Sequence, residues 1–162
     1  MDYRITLEAD DSGGEVPQAV RAGIRGADPA DVPARDWVPI CLALRDAEGT
    51  ILGGLYGATM WSWLMIDGLW VAEELRGKGF GSRLLRESER IAAERGCGGA
   101  WLGTFDFQAR AFYEAHGYTV FGELPGCPPG HTHFHLQKRF GPHSHGAPEL
   151  RRQPGGTFIR TP

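Results

Sequence analysis

A glycine-rich junction between a long apolar segment and an amphipathic one constrains this chain more than any other feature. It reads Val71-Ala72-Glu73-Glu74-Leu75-Arg76-Gly77-Lys78-Gly79-Phe80-Gly81-Ser82. Upstream, Trp61 to Val71 contains no proline and is rich in Trp, Leu, Met and Ile, which predicts a strand. Downstream, Leu84, Leu85, Ser88, Ile91 and Ala92 follow the stripe of an amphipathic helix over Phe80 to Arg95. Gly96 is placed to end that helix. Glycines at every second position let backbone approach a ligand without Cβ clashes. The first amides of a helix lack intrahelical acceptors, and the helix dipole adds partial positive charge, so the turn favours an anion such as a pyrophosphate. Arg76 and Lys78 add full charges beside it. The spacing is not that of a P-loop, because Lys78 is followed by Gly79. Nor is it the G-x-G-x-x-G of a dinucleotide fold. The competing reading is a structural turn that binds nothing.

The flanking sequence predicts a layered α/β domain. Tyr3 to Leu7 alternates and suggests a first strand, and Ser12 to Ile24 a helix. Residues 26–36 read as a loop. Trp37 to Leu44 and Ile51 to Tyr56 form a predicted hairpin about Asp46 to Gly49, with Pro39 hinting at an edge strand or a late start. Ala100 to Thr104 is a short strand, and Gln108 to His116 a helix stopped by Gly117. Tyr118 to Leu124 and His133 to Arg139 are two closing strands around a Pro/Gly loop. Residues 1–140 are thus one domain, and 141–162, without periodicity, a flexible tail.

Composition closes off several classes. In 162 residues, 17 basic against 20 acidic side chains give a net charge of −3, too acidic for a general nucleic-acid coat. No stretch approaches a membrane span, and Met1 to Arg4 lacks the apolar run of a secretion signal. Cys41, Cys97 and Cys127 are odd in number and widely spaced, which suits a reducing cytoplasm rather than a disulfide framework or a zinc site.

Arg76-Gly77-Lys78-Gly79-Phe80-Gly81 resembles the R/Q-x-x-G-x-G/A loop of the GNAT superfamily of acyl-CoA-dependent N-acyltransferases. Asp106-Phe107-Gln108-Ala109-Arg110-Ala111-Phe112-Tyr113-Glu114-Ala115-His116-Gly117-Tyr118 resembles that family's N-x-x-A-x-x-x-Y-x-x-x-G-[FY] signature, with Asp106 in place of the usual Asn. The resemblance implies a mixed α+β fold: a mostly antiparallel sheet flanked by helices, with its fourth and fifth strands splayed apart. It implies acetyl-CoA as co-substrate. The pantetheine arm would pair with the backbone of Leu69, Trp70 and Val71, and the pyrophosphate would lie on the amides from Arg76 to Ser82, through Gly77, Lys78, Gly79, Phe80 and Gly81. Asp106, Gln108 and Phe112 would complete the cofactor pocket.

The resemblance also implies direct transfer of acetyl to a primary amine in a ternary complex, with Tyr113 as general acid for the departing thiolate. Some members carry a glutamate base early on the fourth strand. Here that position falls at about Met65, which takes no proton. Asp67, two residues on, shares its face if strand alternation holds, and is the candidate base. A bulge or strand-end role for Asp67, or a water chain as base, is the alternative. Trp61, Trp63 and Met65 alternate with Asp67 and either line an acceptor pocket or belong to the core. His131, His133 and His135 fall at i, i+2 and i+4. His133 is the candidate substrate contact, and metal ligation by the three is the lesser reading. A small-molecule amine is the expected acceptor. The alternatives are a protein N-terminal or lysine acetyltransferase, and a module that binds acyl-CoA or metal without turnover. A homodimer is consistent with the resemblance.

Overall fold

The computed structural model describes residues 4–7 and 14–141, and the backbone of residues 151–152 and 158–159. Two units divide the chain, Met1–Ala34 and Arg35–Pro162.

In the first unit, α1 spans Glu15–Gly26 and carries Val16, Val20 and Ile24 along one stripe. All three are exposed, and α1 has no buried residue. The strand expected at Tyr3 to Leu7 is not seen in its described part, residues 4–7, where Ile5 and Leu7 are fully exposed. Alternation marks a segment that can pair, but supplies no partner.

The second unit is built on a six-stranded sheet. Its strands are β1 (Val38–Arg45), β2 (Ile51–Met60), β3 (Trp63–Val71), β4 (Gly99–Phe105), β5 (Thr119–Pro125) and β6 (Thr132–Arg139). The order is β1-β2-β3-β4-β6-β5, and every pairing is antiparallel except β3 with β4. β1 is an edge strand, which accommodates Pro39. Helix α2 (Phe80–Glu94) connects β3 to β4, and α3 (Arg110–Ala115) connects β4 to β5. A parallel pair needs such a crossover, and α2 buries Leu85, Ser88 and Ala92 against the sheet. Leu55, Leu64, Ile66, Leu102 and Leu136 meet it from the strands.

Both helices end as glycine positions predict. Gly96 and Gly117 take φ of 81° and 85°. Cys97 N–H donates to Ala92 O at 2.9 Å, and Tyr118 N–H to Tyr113 O at 3.1 Å. These are the long bonds of two Schellman motifs. The stretch from Gly141 on, expected as a tail, lies largely outside the described residues; within it β7 (Arg151–Arg152) pairs antiparallel with β8 (Phe158–Ile159).

Two departures from the expected third and fourth strands matter for the site. Trp61 and Ser62 have φ of 49° and 62° and form the two-residue turn between β2 and β3, so the strand starts at Trp63. Within β3 the register slips: Tyr56 faces Gly68, but Gly57 faces Ile66, leaving Asp67 as the unpaired residue of a bulge.

Candidate active site

β3 and β4 pair in register only from Trp63–Gly99 to Ile66–Leu102. Beyond that they part. β3 runs on along β2 to Val71, and β4 along β6 to Phe105. Strand by strand these are the fourth and fifth of the sequence reading, and they splay as that reading expects. A cleft of about 850 Å³ opens between them. Its walls include Asp67 to Val71 on β3, Gly103 and Thr104 on β4, Gly79 to Ser82 at the start of α2, and Phe112 and Tyr113 on α3.

The cleft presents unpaired backbone. Ala72 N–H donates to Leu52 O in β2, so alternation turns Leu69 and Val71 towards the gap. Asp106 N–H donates to Thr132 O beside β6, so that of Phe105 turns towards the gap from the other side. Side chains take up the outermost of these groups. Arg76 Nε donates to Val71 O at 3.1 Å, and Gln108 Oε1 accepts from Phe105 N–H at 3.3 Å and from Thr104 Oγ1 at 3.2 Å. Further in, the edge of β3 at Leu69 offers a donor and an acceptor to an extended ligand.

One end of the cleft is the glycine turn. Gly77 and Gly79 have φ of 72° and 84°, and a Cβ on either would meet open space. Glycine is needed there for the backbone turn, not for room. Gly79 caps α2, so the amides of Phe80, Gly81 and Ser82 begin the helix without intrahelical acceptors. Arg76 and Gly77 line the cleft, whereas Lys78 does not.

Tyr113 is 6% exposed, yet it lines the cleft, and among the described residues nothing hydrogen-bonds its hydroxyl. Burial holds its pKa above the usual tyrosine value, which keeps the proton on oxygen. Behind it, Tyr118 donates to Glu89 Oε1 at 2.9 Å, and Lys138 Nζ donates to Glu89 Oε2 at 2.7 Å.

Other expected site residues lie elsewhere. Asp67 borders the cleft, but the bulge breaks the alternation that was to align it with Trp63 and Met65. Trp61 sits in the hairpin turn, and its backbone N–H donates to Asp36 Oδ1 at 2.8 Å. Trp63 is about 13 Å along the strand from Asp67, at the closed end of the β3–β4 pair, with the Arg139 guanidinium 4.1 Å over its ring. Neither tryptophan lines the cleft. Asp106 also faces away: one oxygen takes the Thr132 N–H at 3.0 Å and the other pairs with His131 Nδ1 at 2.9 Å. It pins the β4–α3 turn to β6.

His131 therefore stands before β6, edge-on to Phe107, and does not join His133 and His135 on the strand face. No group of three or more His, Cys, Asp or Glu side chains suited to a metal occurs among the described residues. His133 does approach the splay. On the face opposite α2 its Nε2 lies 2.6 Å from where a Gly103 Cβ would stand. Across the gap the Tyr56 ring covers Gly68 in the same way. Two glycines, one on each parting strand, thus carry a ring each beside the opening. No local sequence signal marks Tyr56, because its place over Gly68 depends on the register slip at Asp67.

Residues 19–118 match the profile of the acetyltransferase (GNAT) family. An acetyltransferase of Agrobacterium fabrum is 32% identical over 132 residues, 82% of this chain and 96% of that protein. This chain belongs to the GNAT family. The blasticidin-S acetyltransferase of Streptomyces morookaense is 45% identical over 92 residues, 56% of this chain and 68% of that protein. A crystal structure of an acetyltransferase from Bacillus cereus superposes with a TM-score of 0.74 at 34% identity, covering 85% of this chain and 98% of the other. Membership makes the chain an acetyl-CoA-dependent N-acyltransferase. The parted strands agree with the fold that the sequence resemblance implied.

Proposed function

We propose that this GNAT protein transfers the acetyl group of acetyl-CoA to a primary amine of a small molecule by direct attack in a ternary complex. The observation that carries this reading is the cleft itself: an unpaired strand edge at Leu69, an anion-seeking helix start at one end, and the free hydroxyl of Tyr113 in the wall. The similarity to an enzyme named for blasticidin S supports a small molecule as acceptor.

In this reading the pantetheine arm lies along Leu69 and Val71, and the pyrophosphate meets the amides of Phe80, Gly81 and Ser82. The neutral amine approaches from the face framed by Tyr56 and His133. Its nitrogen bonds to the thioester carbonyl carbon, the carbon–sulfur bond breaks, and Tyr113 gives its proton to the departing thiolate. Asp67, exposed on its bulge, takes the amine proton directly or through water. Gln108 and Arg76 act as caps on the two strand edges, and Trp61, Trp63 and Asp106 as structural residues.

The test is thiol release from acetyl-CoA with a panel of small-molecule amines, peptides and proteins. Turnover with small amines and none with peptides supports the proposal. Turnover confined to peptides or proteins would move the acceptor class, and cofactor binding without turnover on any amine would leave only a binding module.

A further inference from the structure

His116 closes α3 and reaches back to the glycine turn. Its Nδ1 lies 2.7 Å from Phe112 O, and its Nε2 2.9 Å from Ser82 Oγ. Its ring packs on Phe112 with centroids 4.4 Å apart. Ser82 is the third residue of α2 and lines the cleft. A carbonyl oxygen accepts only, so Nδ1 carries a hydrogen in either charge state. The direction of the second bond then depends on a single proton. With neutral imidazole, Nε2 is a bare lone pair, and the Ser82 hydroxyl donates to it. With imidazolium, Nε2 donates to Ser82 Oγ, and the hydroxyl hydrogen is free to turn into the cleft.

We infer that His116 is a positioning residue that sets the polarity of Ser82, so that binding of the CoA pyrophosphate is coupled to uptake of a proton by His116. A phosphate oxygen at the start of α2 needs donors. Neutral His116 leaves Ser82 presenting lone pairs to that anion, and charged His116 lets it present a hydrogen. The anion therefore favours the imidazolium, and by linkage the imidazolium favours the anion. This rests on the cofactor placement proposed above. The charged groups on the elements packed around His116 fit the scheme. Arg110 and Glu114 on α3 pair with each other, as do Glu89 on α2 and Lys138 on β6. Arg83 on α2 stacks over Phe80, and Arg86, also on α2, is exposed.

The experiment is calorimetric titration of the full chain with dephospho-CoA across the imidazole range, in two buffers of different ionisation enthalpy. Dephospho-CoA keeps the pyrophosphate but lacks the 3′-phosphate, whose own titration near pH 6 would confuse the result. Affinity should fall about fivefold from about pH 6 to about pH 8, the gain of a charge-assisted over a neutral hydrogen bond. Near neutrality, binding should take up part of a proton. Ser82→Ala should abolish both the slope and the uptake while leaving His116 in place. His116→Gln, which keeps a neutral donor near the Nε2 position, should make affinity independent of pH, and Ser82→Thr should retain the slope. A slope that survives in Ser82→Ala, or wild-type binding without pH dependence, would overturn the inference. Absence of binding at every pH in folded wild-type protein would remove the cofactor site itself, and this inference with it.

Discussion

Tyr118 grips Tyr113 twice: its N–H donates to the Tyr113 carbonyl at 3.1 Å, and its ring meets the Tyr113 ring nearly edge-on at 5.8 Å. Gly117, at φ 85°, makes the reversal between them possible. The backbone of the candidate acid is therefore anchored, while its hydroxyl is left without a protein partner among the described residues.

Tyr113→Phe should separate chemistry from folding. Removing an unpartnered hydroxyl leaves the packing intact, so the melting temperature should stay close to wild type. Loss of a general acid should lower kcat by about 10²–10⁴-fold. Acetyl-CoA affinity, measured by calorimetry, should stay within about twofold, well below the tenfold that 1.4 kcal/mol represents. Unchanged kcat would reassign Tyr113 to the core.

The glycines of the turn should not be equivalent. Gly79→Val forces a β-branched residue to φ 84°, and its cost is conformational because the space is open. It should weaken CoA binding at least about tenfold and destabilise the protein by about 1–2 kcal/mol. Gly81→Ala places a methyl 3.6 Å from the Phe112 ring, an ordinary contact inside a helix, and should melt near wild type. Equal melting temperatures for the two variants would contradict the backbone argument.

Gly68→Ala and Gly103→Ala should act on the acceptor side. A Gly68 methyl collides with the Tyr56 ring, and one at Gly103 comes within 2.6 Å of His133 Nε2. Each must displace the ring over it. Acceptor kcat/KM should change about tenfold or more, with CoA affinity little altered in a direct titration. The reverse pattern would detach these rings from acceptor recognition.

Alkaline stability should fall with two tyrosines. Burial raises the pKa of Tyr113; burial and then the neighbouring Glu89 carboxylate raise that of Tyr118. Both stay protonated in the fold while the unfolded chain ionises above about pH 10, so the stabilisation is complete below pH 10 and is lost as pH rises beyond it. Each tyrosine should contribute a slope of about 1.4 kcal/mol per pH unit there. Denaturant titrations at a series of alkaline pH values should show a shallower fall for Tyr118→Phe than for wild type.

Periodicity and punctuation made much of this protein legible. The stripe from Leu84 to Ala92 and the stop at Gly96 place α2 within a residue, and Pro39 marks an edge. The two motifs bring the glycine turn and Tyr113 to one cleft. What stayed hidden depends on single-residue insertions and on partners distant in sequence. Alternation gives no sign of the extra residue Asp67, and one extra residue reverses the face of everything beyond it. Nor does local pattern separate Trp61 in a tight turn from Trp63 in a strand. Asp106 reaches Thr132 and His131, about 25 residues away, and such a partner is a property of the folded sheet. The hydrogen bond between Ser82 and His116 spans 34 residues and joins the glycine turn to the end of α3.

The four register positions from Trp63–Gly99 to Ile66–Leu102 are the spine of a book, with β1-β2-β3 as one leaf and β4-β6-β5 as the other. Past the spine the leaves share no backbone rungs. An extended guest that bonds to the inner margin of a page takes the place of a missing strand. In the reading proposed above, filling the cleft would add a rung along the open margin of the β3 leaf, so loading the reagent would also extend the sheet.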